Sequence, residues 1–294
     1  MAVIENSNAN SLVSGTQGDD TIINSGEFVT INALTGNDRI DLILTAKYSL
    51  VDGAEGNDTI TNSAPFVTIN AGDGNDVISF NQNATNNIAN GEAGDDAIVS
   101  DGNNLTVSGG DGNDKLSNRG NNASINGGGG DDYILNEGTN STIFGSSGSD
   151  IIDNNGSNNS IDGSFGDDEI YNIGQNVSIS GGAGSDTITN LYAVQVDDDG
   201  NIIATVQSSD SISVNGGVGD DFIINYGGQA TIYGGVGDDS ISNRGIITYN
   251  AFGSIVDFTT TQNDFFIDAG AGRDTIDNRN HGGQINLGAD NDMI

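Results

Sequence analysis

GGDGNDKLSNRGNNASINGGGGDDYILN, residues 109–136, contains one complete copy of a pattern and the start of the next. The copy opens G-G-x-G-x-D-x-(Ile/Leu), continues N-x-G-x-N-x-x-I-N, and begins again at Gly127. Taking the aspartate that closes each glycine triplet as the marker, the pattern runs outward from Asp114 in both directions. The positions are Asp20, Asp38, Asp58, Asp76, Asp96, Asp114, Asp132, Asp150, Asp168, Asp186, Asp221, Asp239, Asp274 and Asp292. Of the thirteen intervals nine are 18 residues, two are 20 and two are 35, so the period is not accidental. Two residues after every marker stands Ile or, at Leu116, Leu. Two residues before it stands Gly, with Asp290 the one exception. A fixed period near 20 is the signature of a solenoid in which each repeat is one coil.

Within a coil the apolar positions alternate, as short strands require. Ile22, Ile60, Ile134, Ile170 and Ile223 point inward on one sheet. Ile31, Ile69, Val107, Ile125, Ile143, Ile161, Ile179, Val214, Ile232 and Ile285 do so on the other. The expected fold is all-β: a parallel β-roll or β-solenoid of about fourteen 18-residue coils, one domain over 1–294, with two parallel sheets joined by turns. At about 4.8 Å per coil this makes a rod roughly 65 Å long. Glycine at the turns permits left-handed backbone. Four residues after the marker Asn recurs, at Asn24, Asn62, Asn118, Asn136, Asn154, Asn172, Asn190, Asn225, Asn243 and Asn278. Stacked amides there are expected to hydrogen-bond from coil to coil along the second edge. The pattern weakens at Leu42, Phe80 and Ser100, where the amide is missing, and over 287–292, which lacks the paired glycines.

Composition excludes several function classes. The 294 residues carry 7 basic and 42 acidic side chains, a formal charge of −35, which disfavours nucleic acid and anionic lipid as partners. Low apolar content with such charge would by itself suggest disorder, and the repeat overrides that reading. There is no cysteine, hence no disulfide or thiolate site, and no apolar run long enough to insert in a membrane. The single histidine, His281, stands beside Gly282 and Gly283 in a turn and rules out a two-histidine zinc motif. Every aspartate that might serve catalysis sits in a repeated register, so no catalytic pair stands out and the chain is expected not to be an enzyme.

The G-G-x-G-x-D-x-(Ile/Leu) half-coil, as in GGDGNDKLS (109–117), GGAGSDTIT (181–189) and GGVGDDSIS (234–242), resembles the nonapeptide of the repeats-in-toxin, or hemolysin-type, calcium-binding family. The resemblance runs from about Gly15 to Ile294. It implies a parallel β-roll with Ca²⁺ between successive turns, held by the motif aspartate and by backbone carbonyls of the glycine loop. By position the metal ligands it implies are the fourteen marker aspartates. The chain departs from the family in carrying the motif on one edge only, so calcium is expected along that edge alone. The charge pattern agrees. Carboxylates stacked about 5 Å apart repel by about 0.8 kcal/mol per pair in water and several-fold more when partly desolvated. Summed over a column that rivals the stability of a domain. Ca²⁺ takes six to eight oxygens in irregular geometry, which suits such a column better than Mg²⁺ does. A second aspartate often precedes the marker (Asp19, Asp95, Asp131, Asp167, Asp220, Asp238) and deepens the negative potential.

These features imply a non-catalytic, secreted or cell-surface bacterial repeat module, structural or adhesive, that folds on binding several calcium ions. Two other readings accompany it. One is a self-assembling extracellular matrix or surface-layer filament stacked end to end, because the chain closes at Met293-Ile294 in mid-strand; a segment of a longer surface protein explains the same ending. The other is an ice-binding adhesin segment, from the outward Thr/Ser-x-Asn rows (Thr30-Asn32, Thr68-Asn70, Ser124-Asn126). The two long intervals hold hairpin-like insertions near 191–207 and 246–262. Their aromatic residues Tyr192, Tyr249, Phe252 and Phe258 suggest either a local cap or a patch for a surface glycan or protein partner.

Overall fold

The structure, a computed structural model, describes residues 2–191, 195–196, 202–203, 211–226, 229–244, 246–249, 255–259 and 265–294. Strands Val3–Asn6, Thr21–Asn24, Arg39–Leu42 and their successors pair in parallel to make one sheet. Leu12–Ser14, Thr30–Asn32, Leu50–Glu55 and their successors make the other. Each sheet has fourteen strands, the chain alternates between them, and no helix occurs among the described residues. This is a parallel β-solenoid of about fourteen turns, compatible with a β-roll repeat. It divides into two compact units, Met1–Ile151 and Ile152–Ile294.

The period sets the register. In the first unit Ile22 lies beside Ile40, Ile40 beside Ile60, Ile60 beside Ile78, and Ile98 beside Leu116. On the other sheet Val13, Ile31, Val51 and Ile69 follow one another in the same way. In the second unit Ile170, Ile188, Ile223, Ile241 and Ile276 form one row, and Ile161, Ile179, Val214, Ile232, Ile267 and Ile285 the other. These side chains are buried, except for Ile285 in the last strand, which is half-buried. Each rung packs an aliphatic side chain on its neighbours above and below, so burial rather than strand length holds these three- to eight-residue strands together.

The 35-residue intervals do not break the register. Thr187 pairs with Phe222 and Ser240 with Thr275, as if the insertions were absent. Each insertion contains an antiparallel pair, Gln195–Val196 with Ile202–Ile203 and Ile246–Tyr249 with Ile255–Thr259. Tyr192 and Phe252 lie outside the described residues, as do the side chains of Tyr249 and Phe258. The two 20-residue coils coincide with the missing amides at Leu42 and Phe80. Both side chains are buried where Asn stands elsewhere, and the extra residues fold into a tight turn with Ala46 N–H on Ile43 O and Ala84 N–H on Asn81 O.

The Asn ladder closes one edge. Asn6 donates to Asn24 (2.8 Å) and Asn118 to Asn136 (2.8 Å) in the first unit. Asn172 donates to Asn190 and Asn190 to Asn225 (both 2.7 Å) in the second, where Asn243 reaches Asn278 at 3.0 Å. Many of these amides also clasp their own turn: Asn62 donates to Ala64 O and accepts from Ala64 N–H. Ser100 does this with its hydroxyl, accepting from Gly102 N–H at 3.1 Å.

Candidate cation-binding edge

At the opposite edge the chain turns from the second sheet to the first through the glycine triplet. Two glycine positions make the turn. Gly56 has φ +131°, and a Cβ there would stand 1.9 Å from the carbonyl oxygen of Gly36 one coil away; Gly72, at φ +115°, would meet Ala54 O at 2.0 Å. Successive turns stack backbone on backbone: the Gly56 place is glycine in every coil but the last, whereas the Gly72 place also takes Leu34, Ala54, Glu92, Ser146 and Ser164 at positive φ.

The marker aspartates point into these turns and form one ladder in each unit. The backbone N–H of each donates to the Oδ1 of the marker in the following coil. The distances are 2.6 Å for Asp20 to Asp38, 2.7 Å for Asp38 to Asp58, 2.6 Å for Asp58 to Asp76, and 2.7 Å for both Asp76 to Asp96 and Asp96 to Asp114. Asp114 to Asp132 and Asp132 to Asp150 follow at 2.8 Å. The second unit continues the pattern from Asp168 to Asp186, Asp221, Asp239, Asp274 and Asp292, at 2.9–3.1 Å. All but the half-buried Asp292 are buried, none more than 2% exposed.

The second carboxylate oxygen is the unusual one. Buried Oδ2 atoms without a hydrogen-bond partner occur at Asp38, Asp58, Asp76, Asp96, Asp114 and Asp132, and at Asp186, Asp221, Asp239 and Asp274. In many coils this oxygen rests against the glycine five residues earlier. A Cβ on Gly91 or Gly109 would lie 2.1 Å from Oδ2 of Asp96 or Asp114. Ala33, Ala71 and Ala269 hold that place in three coils, so a methyl is tolerated there.

A buried carboxylate with one oxygen unsatisfied resists ionisation. Desolvation pushes Asp58, Asp96, Asp132 and Asp221 up to about 7 and Asp76, Asp150 and Asp239 up to about 6, against the pull of the backbone N–H bond. Asp38, Asp114, Asp186 and Asp274 are raised for the same reason. Asp20 goes the other way. Ala2 N–H donates to its Oδ1 at 2.7 Å and Thr16 N–H to its Oδ2 at 2.5 Å, and these bonds hold it below the usual carboxylate range.

The donor chemistry fits a hard cation. Each orphaned Oδ2 is a buried carboxyl oxygen that becomes an anionic donor on ionisation, and the turn adds backbone carbonyls that point along the stack, Gly36 O and Ala54 O among them. No three Asp, Glu or His side chains converge as a metal cluster among the described residues. A cation at this edge would therefore be held by one marker oxygen per coil together with carbonyls.

Three features escaped the sequence reading. The residue before the marker builds a second, exposed ladder of opposite sense: Asn37 N–H donates to Asp19 Oδ1 (3.0 Å), Asn113 to Asp95 (2.9 Å), Asp131 to Asn113 and Ser149 to Asp131 (both 2.8 Å), and Asp238 to Asp220 (2.8 Å). Its signal was in the sequence, since this place holds Asp, Asn or Ser in every coil except at Arg273. At the Asn edge a residue in left-handed conformation tips each coil from Asn10 to Asn176, usually Asn but aromatic at Phe28, Tyr48 and Phe66. Those three rings are exposed and stack face to face with centroids 4.9 and 5.1 Å apart. Finally, Arg119 bridges Asp101 and Glu137 across three coils. His281 is exposed, as its turn position suggested. No family model matches the chain, and no curated protein is similar to it.

Proposed function

We propose that this chain is a calcium-stabilised structural module of the repeats-in-toxin kind, non-catalytic, belonging to a secreted or cell-surface bacterial protein. The observation that carries the reading is the row of buried marker carboxylates tied through Oδ1, with Oδ2 left unsatisfied at Asp38, Asp58, Asp76, Asp96, Asp114, Asp132, Asp186, Asp221, Asp239 and Asp274. Such a row demands positive charge, and the chain has only 7 basic residues to set against 42 acidic ones. Arg39, Arg119, Arg244, Arg273 and Arg279 pair with Asp41, Asp101, Glu137, Asp277 and Asp238, which are not markers.

Oδ1 of each marker orders its neighbour's backbone, the glycines let the turns approach, and Oδ2 with turn carbonyls offers oxygen donors. Bound calcium supplies the compensating charge. At the sub-micromolar free calcium of cytosol the ionised column repels itself and the chain stays expanded and competent for export. Extracellular modules commonly bind calcium at about 10⁻⁴–10⁻³ M, so millimolar calcium outside the cell completes folding. The test is far-ultraviolet circular dichroism through a calcium titration at neutral pH, followed by chelation. Strand signal that grows with calcium and is lost in chelator supports the reading; a spectrum equally strong in excess chelator defeats it.

A further inference from the structure

We infer that the left-handed Asn rungs of the second edge are acceptors for N-linked carbohydrate. The rung residues Asn104, Asn122 and Asn140 of the first unit, and Asn158 and Asn176 of the second, are exposed and have φ between 53° and 59°. Each heads an N-x-(Ser/Thr) triplet: Asn104-Leu105-Thr106, Asn122-Ala123-Ser124, Asn140-Ser141-Thr142, Asn158-Asn159-Ser160 and Asn176-Val177-Ser178. That triplet is the acceptor signature for glycosylation of asparagine at a surface turn.

The fold alone does not demand the pairing. A left-handed rung is served by Asn without a hydroxyl two residues on, as Asn10 with Leu12 and Asn86 with Ile88 show. A hydroxyl stands there equally without Asn, as in Phe28 with Thr30 and Phe66 with Thr68. From Asn104 to Asn176 the two coincide in every coil. All five hydroxyl residues are exposed at the start of an outward-facing strand. The amide bonds at these rungs are exposed: Asn104 donates to Asn86 at 3.2 Å, Asn122 to Asn104 at 3.0 Å, Asn140 to Thr139 Oγ1 at 3.4 Å and Asn176 to Asn158 at 3.2 Å. Rotating one out to a transferase breaks no buried bond. The five rungs and the residues before them (Asn103, Asn121, Thr139, Ser157, Gln175) carry no charge, in a chain of net −35.

In the transfer, the amide nitrogen attacks the anomeric carbon of a diphosphate-activated sugar. The C–O bond to the diphosphate breaks, the nitrogen loses one proton, and the diphosphate carrier departs. Neighbouring coils are about 4.8 Å apart, less than the width of a branched glycan. Single hexoses fit on successive rungs, whereas bulky chains are confined to rungs that are not neighbours.

The full chain, isolated from the cells that make it, is digested and mapped by mass spectrometry. Sugar-bearing peptides at these five asparagines are expected. Asn57 of Asn57-Asp58-Thr59 should be bare, because its amide oxygen accepts the backbone N–H of Asn75 at 2.9 Å. T106V, which removes an exposed hydroxyl, should lose the sugar at Asn104 alone while keeping the circular dichroism spectrum. Five bare rungs, or an Asn104 still modified in T106V, would overturn the inference. Neither result bears on calcium, which belongs to the other edge.

Discussion

Replacing Asp96 by Asn separates the two jobs of a marker carboxylate. Asn keeps an oxygen to accept the N–H of Asp76, a 2.7 Å bond, and leaves the bond from Asp96 N–H to Asp114 untouched. What it removes is the charge at the orphaned oxygen. A carboxyl whose pKa rises from 3.8 to about 7 opposes folding, once ionised, by at most about 4 kcal/mol at 1.36 kcal/mol per pH unit. Screening by water at the turn and sharing of the repulsion along the column bring this to about 1–2 kcal/mol. In chelator at pH 8, D96N should therefore stabilise the chain, raising the melting temperature by a few degrees at roughly 2–4 °C per kcal/mol. In saturating calcium the sign should reverse, because an ionised ligand has been lost to the cation. Differential scanning calorimetry of both proteins under both conditions reads the effect directly. A variant that melts lower than the parent in chelator, or higher in calcium, would refute the account of the orphaned oxygens.

The same carboxyls fix the pH dependence. With pKa values raised to about 6–7 at Asp58, Asp76, Asp96, Asp132, Asp150, Asp221 and Asp239, the folded chain binds more protons than the unfolded one between about pH 4 and 7. Their contribution is thus complete below pH 4 and lost as pH rises through 6–7, so melting temperatures in chelator should fall over that window and calcium should restore them at pH 7–8. G56A places a methyl 1.9 Å from Gly36 O at φ +131° and should cost about 3 kcal/mol, whereas G129A, whose new methyl meets nothing nearer than 3.5 Å, should change the urea midpoint little. N172A removes the acceptor of Gly174 N–H and the donor to Asn190 in a fully buried ladder, and should lower stability by about 2–3 kcal/mol in the same denaturant series.

Much of this architecture is written in the repeat. The Ile rows, the alternation of sheets, the column of markers and the Asn ladder all follow from an 18-residue period, because a coil that stacks on itself brings equal positions together. What periodicity does not encode is direction. Both Asp131 and Asp132 recur as acidic turn residues, yet Asp132 turns inward to accept from the coil before it and Asp131 faces solvent to accept from the coil after it. The aromatic rungs are hidden for a related reason: Phe28, Tyr48 and Phe66 occupy a left-handed position that bulky residues avoid, and there their rings stack across adjacent coils. The 20-residue coils show a third effect. Leu42 and Phe80 exchange an amide clasp for apolar burial, and the two added residues rebuild the turn around Ala46 and Ala84.

Equilibrium dialysis of the folded chain against labelled calcium at neutral pH asks most plainly whether the inward carboxylates hold metal. Several ions per chain are anticipated, approaching one for each orphaned marker oxygen, with protons released as they bind. A folded chain that retains no calcium at millimolar concentration would contradict it, and would leave the column of aspartates as hydrogen-bonded, protonated rungs.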